Sequence, residues 1–364
     1  MRGRATMIEN LRTGGSQAAM TVLGPMAAAD LGQTLMHEHL YADFGALAFD
    51  DQRVLGDDLA TTSDMAEARW DPSAFVNNRR FTDIDLVVEE LQPLVAVGGR
   101  TVVDCTPRPF RNPIGLQEIA RRSGVNVIMG AGYYIQRHHP DELASKSAES
   151  IAQEIIDDFV NGADCTGVRP GIIGEIGTSA TISETELRVL RASAWAQKET
   201  GLALSVHLQP WATQGNVVLS LLLAEGADPE RILLNHVSMD FDDERYQRSL
   251  LDQGPTLGFD LFGYDHSMHS HGKYPPSDHD LAQAVVRLGK AGFADRVILS
   301  HDIAVLTRLR KFGGWGFAHI HEHIVPLLLR DGLSEADVEM MLAENPRRLL
   351  AVSSDVAVAA TRAS

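Results

Sequence analysis

The chain has 364 residues, 44% of them hydrophobic and 22% charged, an ordinary soluble composition with ample apolar material for a large core. Its net charge of −17 argues against nucleic acid as a partner. No run of about 18 apolar residues is present, which argues against a membrane span. The two cysteines, Cys105 and Cys165, exclude a disulfide scaffold and make a reduced cytoplasmic setting the expected one.

The first 20 residues, beginning "MRGRATMIENLRTGGSQ", lack an apolar segment long enough for a secretory signal and read as a loosely held arm. "MTVLGPMAAADLGQ" follows and reads as a short hairpin around Gly24-Pro25. Eight short apolar runs then end in polar residues. They begin near Thr34 (TLMHEH), Thr101 (TVVDCTP), Asn126 (NVIMGAGYY) and Gly171 (GIIGEIG), and continue near Ala203 (ALSVHL), Ile232 (ILLNHV), Thr256 (TLGFDLFG) and Arg296 (RVILSHD). Helix-period segments separate most of them, and Ser183 followed by Glu186 matches a capping box at the head of one. The stretch 45–78 has no strong period and reads as an insertion after the first run. Strands alternating with helices eight times predict an α/β fold, a (β/α)8 TIM barrel with an N-terminal β-hairpin and arm. A doubly wound sheet is the rival, but the glycine-rich phosphate turn expected after its first strand is missing. The predicted layout is an arm over 1–20, one barrel domain over 21–352, and a tail over 353–364.

Ligand-type residues recur at the C-terminal ends of the predicted strands: His37 and His39, Glu175, His207, His236 and Asp302. In a barrel those ends and their loops form the active face. Each histidine alone has an ordinary hydrogen-bonded reading; strand-end placement of all six residues together favours a metal site. Four imidazoles and two carboxylates suit zinc or a similar divalent ion, and six ligands are too many for one tetrahedral zinc but fit two ions sharing a bridge. His-Glu-His occurs twice. On a strand its two histidines share a face, as expected for His37 and His39. The second copy, His321 and His323, lies in a stretch where Ile320, Ile324, Leu327 and Leu328 recur at helical spacing, so its histidines point different ways and are not expected to bind metal.

Taken in order, "MHEHL", "GIIGEIG", "VHL", "NHV" and "LSHDI", with "KFGGWGFAHIHEHIVPLLLR" near the end, resemble the phosphotriesterase family of amidohydrolase-type barrels. The resemblance runs from about Met20 to Leu350. It implies that His37 and His39 hold a more buried metal, that His207 and His236 hold a more exposed one, and that Asp302 binds the buried metal and contacts the bridging water. Many family members bridge the metals with a carboxylated lysine. Glu175 stands there in this chain, as in the phosphotriesterase-related or phosphotriesterase homology branch, some members of which carry a resiniferatoxin-binding label. A glutamate bridge needs no captured carbon dioxide. The implied cofactor is two divalent ions, zinc first, with manganese, cobalt and iron as alternatives, and the implied assembly is a homodimer.

The implied chemistry is hydrolysis, with a metal-bridging hydroxide as nucleophile and Asp302 taking its proton toward the leaving group. The expected substrate is a lactone, ester or amide of a small molecule. A phosphoester or phosphotriester hydrolase with the same site, and a metal-containing ligand-binding protein without turnover, are the alternatives, because the ligand set alone does not separate them. Around the pocket, Tyr134 falls where lactonase-like relatives place a tyrosine near the bridging water, Trp211 is a candidate apolar wall, and Arg137 and Lys273 are candidate partners for an anionic substrate group. His266, His269 and His271 lie in a histidine-rich loop that reads as solvated. Asp260, Asp240 and Asp104 are candidates for orienting the ligands. Neither cysteine carries a nucleophile signal.

Overall fold

The computed structural model describes residues 17–45, 55–59, 61–264 and 273–353. Thirteen strands run through these residues: β1 (Gln17–Thr21), β2 (Gly24–Ala27), β3 (Gln33–Glu38), β4 (Ala42–Asp43), β5 (Arg80–Phe81), β6 (Gly99–Asp104), β7 (Asn126–Ala131), β8 (Ile172–Gly177), β9 (Leu204–His207), β10 (Ile232–Asn235), β11 (Thr256–Phe259), β12 (Val297–Leu299) and β13 (Val352–Ser353). Eight of them form one sheet in the order β12-β11-β10-β9-β8-β7-β6-β3, with every described pairing parallel. This is the predicted barrel, and all eight predicted runs supply its strands.

The alternation of side chains along each strand builds two cores. Met36, Val103, Ile128, Ile172, Leu233 and Ile298 form an inner layer, closed from below by Ala19 of the hairpin and by Leu349 and Leu350. Their neighbours Leu35, Val102, Val127, Ile173, Leu234 and Val297 face the other way and pack against the helices. The helix Glu184–Thr200 begins with the predicted capping box, in which Ser183 and Glu186 each satisfy the other's backbone amide, and ends on left-handed Gly201.

The ends of the sheet, β3 and β12, are joined by side-chain and backbone hydrogen bonds. The His37 amide donates to Ser300 Oγ at 2.9 Å, and the Asp302 amide donates to the His37 carbonyl at 3.0 Å. Glu38, the middle residue of the first His-Glu-His, accepts from the amides of His301 (2.9 Å) and Ile303 (3.0 Å) and from His301 Nδ1 (2.7 Å). Glu38 is therefore the seam of the barrel, with both oxygens occupied and no exposure to solvent.

Three details differ from the sequence reading. The hairpin turns at Val22–Leu23, and Gly24-Pro25 already belong to its second strand, where Pro25 pairs with Met20. Thr21 Oγ1 fixes that turn by donating to the Gly24 carbonyl and accepting from the Leu23 amide. The aperiodic stretch 45–78 contains the helix Thr62–Trp70, whose capping box joins Thr61 and Asp64. It shows little period because only Ala68 of that helix is buried, in a small separate core with Ala74 and Phe75. The short helix Glu244–Leu251 fills the connection between β10 and β11 that the sequence reading left without one.

Candidate metal centre

The six predicted ligands meet at the C-terminal mouth of the barrel. His37 and His39 come from the end of β3, Glu175 from within β8, His207 from the last position of β9, His236 from the residue after β10, and Asp302 from the loop after β12. Local backbone aims them. A register shift on β3 between Leu35 and Glu38 turns His37 inward just after inward-facing Met36. Gly174, immediately before Glu175, has φ +138, and a Cβ there would sit 2.4 Å from the Ser205 carbonyl. His236 and Asp302 both occupy the left-handed region, with φ of 62 and 55.

Glu175 lies at the middle of the cluster. Its Oε1 is 3.7 Å from His39 Nε2, and its Oε2 is 3.5 Å from His37 Nε2, 3.2 Å from His207 Nδ1 and 4.0 Å from His236 Nε2. Asp302 Oδ1 lies 3.1 Å from His39 Nε2 and 3.7 Å from His37 Nε2. Two donor sets with ligand atoms close enough for one cation result, His37–His39–Asp302 and Glu175–His207–His236. Glu175 touches the imidazoles of both. Burial alone would raise its carboxyl, but the imidazoles of His37 and His207 outweigh that and hold it well below the usual carboxylate range.

Asp260, at the end of β11, orients a ligand in each set. Its Oδ2 is 2.9 Å from His37 Nδ1 and 3.3 Å from His236 Nδ1, and its Oδ1 accepts from the His236 amide at 2.9 Å. A carboxylate accepts, so His37 Nδ1 carries a proton and its Nε2 is the nitrogen left toward the cluster. The proximity that also groups Asp260 with His37 and His236 as a possible donor set thus describes a support, because its oxygens are taken by these bonds. His39 Nδ1 is held by Thr106 Oγ1 at 2.9 Å. Thr106 is held in turn through its amide by Asp104, which also accepts from the Leu40 and Tyr41 amides. Asp240 is different: its carbonyl accepts from Gln247 Nε2, and the carboxylate partner of His236 is Asp260.

The second His-Glu-His stays out of the cluster. His323 is exposed and His321 half-buried, in a helical turn over Ile320–Ile324 whose isoleucines face the core. Burial pushes the His321 imidazole down to about 4. His319, unremarked in the sequence, is buried beside Asp278 Oδ2 at 2.6 Å.

Tyr134 belongs to the site. Its hydroxyl is 3.3 Å from His207 Nδ1, and the two rings meet edge to face at 4.8 Å. It also closes a feature the sequence did not reveal. Starting at His39, rings follow one another through Phe44 (5.2 Å), Phe110 (5.6 Å), His138 (6.2 Å) and Tyr134 (5.9 Å), each distance measured from the preceding ring. This half-buried aromatic arc spans from one donor set to the other. Burial and the charge of Arg137 push His138 down to about 4, so that ring is uncharged at neutral pH. Arg137 is exposed on the same loop, and Trp211 lies further out with Lys273 Nζ 5.3 Å above its ring. His266, His269 and His271 lie outside the described residues. Cys105 is fully buried, with a thiol raised by burial and therefore neutral.

The model of the phosphotriesterase family matches residues 17–350. The chain belongs to that family. An N-acetyltaurine hydrolase from Xenopus tropicalis is 32% identical over 342 residues, covering 92% of this chain and 98% of that protein. Among solved structures, a resiniferatoxin-binding protein from Rhodobacter sphaeroides is 38% identical with a TM-score of 0.89, covering 93% of this chain and 96% of that one. The phosphotriesterase homology protein from Escherichia coli, solved with phosphate in its active site, is 30% identical with a TM-score of 0.73, covering 88% and 99%. This chain is a hydrolase. Among its described residues no helix is long and apolar enough to cross a membrane.

Proposed function

We propose that this protein is a binuclear metal-dependent hydrolase that cleaves the amide of a small N-acylated, anionic amine. The observation that carries the reading is Glu175, one carboxylate touching both imidazole sets. His37 Nε2 supplies the test of fit. It is buried without a hydrogen-bond partner among the described residues, while two carboxylates stand 3.5 and 3.7 Å away. A buried imidazole nitrogen held between two carboxylates is a position for a cation. His37, His39 and Asp302 would hold one ion, His207 and His236 the other, and Glu175 would join them. Nitrogen and oxygen donors without sulfur suit zinc first, then manganese, cobalt or iron. When bound, such ions lower the pKa of water and act as a Lewis acid toward the scissile carbonyl.

The chain's own residues supply the rest. Asp302, the least buried of the ligands at 16% side-chain exposure, would take the proton of the attacking water and deliver it to the departing amine. Phe44, Phe110 and Tyr134 of the aromatic arc would offer the acyl half an aromatic wall. Arg137 and Lys273, both exposed, would be the partners for an acid group on the amine half. The amide reading is supported by the name of the relatives, N-acetyltaurine hydrolase. The phosphate in the active site of the Escherichia coli structure favours a phosphoester hydrolase as the second reading.

The test is release of acetate from N-acetyltaurine, with a lactone and an aryl phosphotriester assayed in parallel on metal-loaded protein. Turnover of the amide at a kcat/KM at least tenfold above either competitor supports the proposal. Turnover of the phosphotriester alone would move the assignment to the second reading, and no turnover of any of the three would leave a binding role.

A further inference from the structure

Asp302 holds its place against the preference of its backbone. Its φ of 55 is a left-handed conformation that side-chain-bearing residues adopt uncommonly, and it needs support from its surroundings. One side chain does so from below the site. Arg308 Nη1 donates to the carbonyls of His301 (2.6 Å) and of Asp302 itself (2.7 Å), and Nη2 donates to the carbonyl of Phe262 (2.7 Å). The guanidinium thus ties the loop after β12 to the loop after β11. Its flat face lies 4.6 Å from the centre of the Tyr264 ring, and the residue is 4% exposed. The turn that carries Arg308 is itself anchored. The Thr307 amide donates to Asn78 Oδ1 at 2.9 Å, and the Gly316 amide donates to the Arg308 carbonyl at 2.9 Å.

We propose that Arg308 is a positioning residue that fixes the backbone of Asp302 and so aims its carboxylate at the His37–His39 set. The inference rests on the metal-centre reading given above. The geometry demands a planar fork: three carbonyls on two loops are reached at once, which the single point of a lysine ammonium does not do. The same structure contains a matched control. Arg231 is half-buried, and its guanidinium also holds three carbonyls, those of Arg348 (3.3 Å), Leu349 (2.8 Å) and Ala351 (2.8 Å). It stands just before β10, at the opposite end of the barrel from the ligands.

The experiment compares wild type, Arg308→Ala, Arg308→Lys and Arg231→Ala. Zinc stoichiometry and affinity are measured by competition with a chromophoric chelator, alongside thermal stability of the apo proteins and steady-state kinetics. The expected result is a 10–100-fold loss of affinity for one of two zinc ions in Arg308→Ala, the size seen when a ligand loses its support. kcat should fall with KM little changed, and millimolar guanidinium should restore both in part. Arg308→Lys should behave like the alanine variant. Arg231→Ala should lose thermal stability while keeping both ions and full kcat. Wild-type zinc affinity in folded Arg308→Ala would overturn the proposal, and so would a loss that Arg231→Ala reproduces and guanidinium does not repair. If Arg308→Ala does not fold, Arg308→Lys carries the same comparison. Wild-type protein that binds no zinc would instead overturn the metal-centre reading itself, and this proposal with it.

Discussion

Removing the Asp260 carboxylate should weaken both metal ions at once. Its two oxygens hold His37 at 2.9 Å through Nδ1 and His236 through its amide at 2.9 Å and its ring at 3.3 Å, and the residue has no exposure to solvent. A supporting partner of a metal ligand is typically worth 10–100-fold in affinity, or about 1.4–2.8 kcal/mol per ion. Asp260 supports one ligand in each set, so Asp260→Ala should lose that amount twice. It should also lose stability, because the His236 amide and the His37 Nδ1–H become buried donors without acceptors, at about 1–3 kcal/mol each. Asp260→Asn separates the two effects. Its amide oxygen can still accept from the His236 amide, but its NH2 faces His37 Nδ1–H, and relief requires the proton to move to Nε2, the nitrogen meant for the metal. The asparagine variant should therefore fold nearly as stably as wild type and still bind the His37-side ion weakly. The assay is zinc titration against a chromophoric chelator, with apo-protein unfolding followed in urea. Folded Asp260→Ala with two ions at wild-type affinity would refute the reasoning that this carboxylate aims the ligands.

Other expectations follow from single features. Both ring nitrogens of His321 are buried without hydrogen-bond partners among the described residues, so His321→Leu should raise stability by about 1 kcal/mol with metal content unchanged; metal loss would mean that the second His-Glu-His takes part. His138 titrates at about 4 in the folded protein, below the ordinary value of about 6.5. Its depressed pKa means that the stability it contributes is full above pH 6.5 and is lost as pH falls toward 4. The stability advantage of wild type over His138→Gln should shrink across that window, and an NMR midpoint of His138 near 6.5 would contradict the burial argument. Phe110→Ala opens the aromatic arc, so kcat/KM for longer N-acyl chains should rise relative to acetyl, and an unchanged chain-length profile would place the acyl group elsewhere.

The barrel was legible because its strands are apolar runs ending in polar residues, and that pattern survives without tertiary information. The choice between the two His-Glu-His stretches came from the same source, since period two and period 3.6 send the histidines in different directions. What escaped detection depends on partners far apart in the chain. Glu38 is bonded to His301 across 263 residues, and nothing local marks it as the seam. Thr106 reaches His39 across 67 residues, and Phe44 and Phe110 join the arc from loops without periodicity. Asp260 was readable as a strand-end carboxylate. Asp240 looked equivalent from its spacing to His236, but the carboxylate beside His236 is Asp260. Short helices were missed for a related reason: Glu244–Leu251 spans only eight residues, too few for a period to stand out.

The central claim is that Glu175 joins two metal ions, and metal content tests it most directly. Wild type and Glu175→Ala should be purified in parallel without added metal and measured by inductively coupled plasma mass spectrometry. Two divalent ions per wild-type chain are expected, with loss of both from the variant and its fold intact by circular dichroism. One ion or none in wild type, unchanged by the substitution, would contradict that claim.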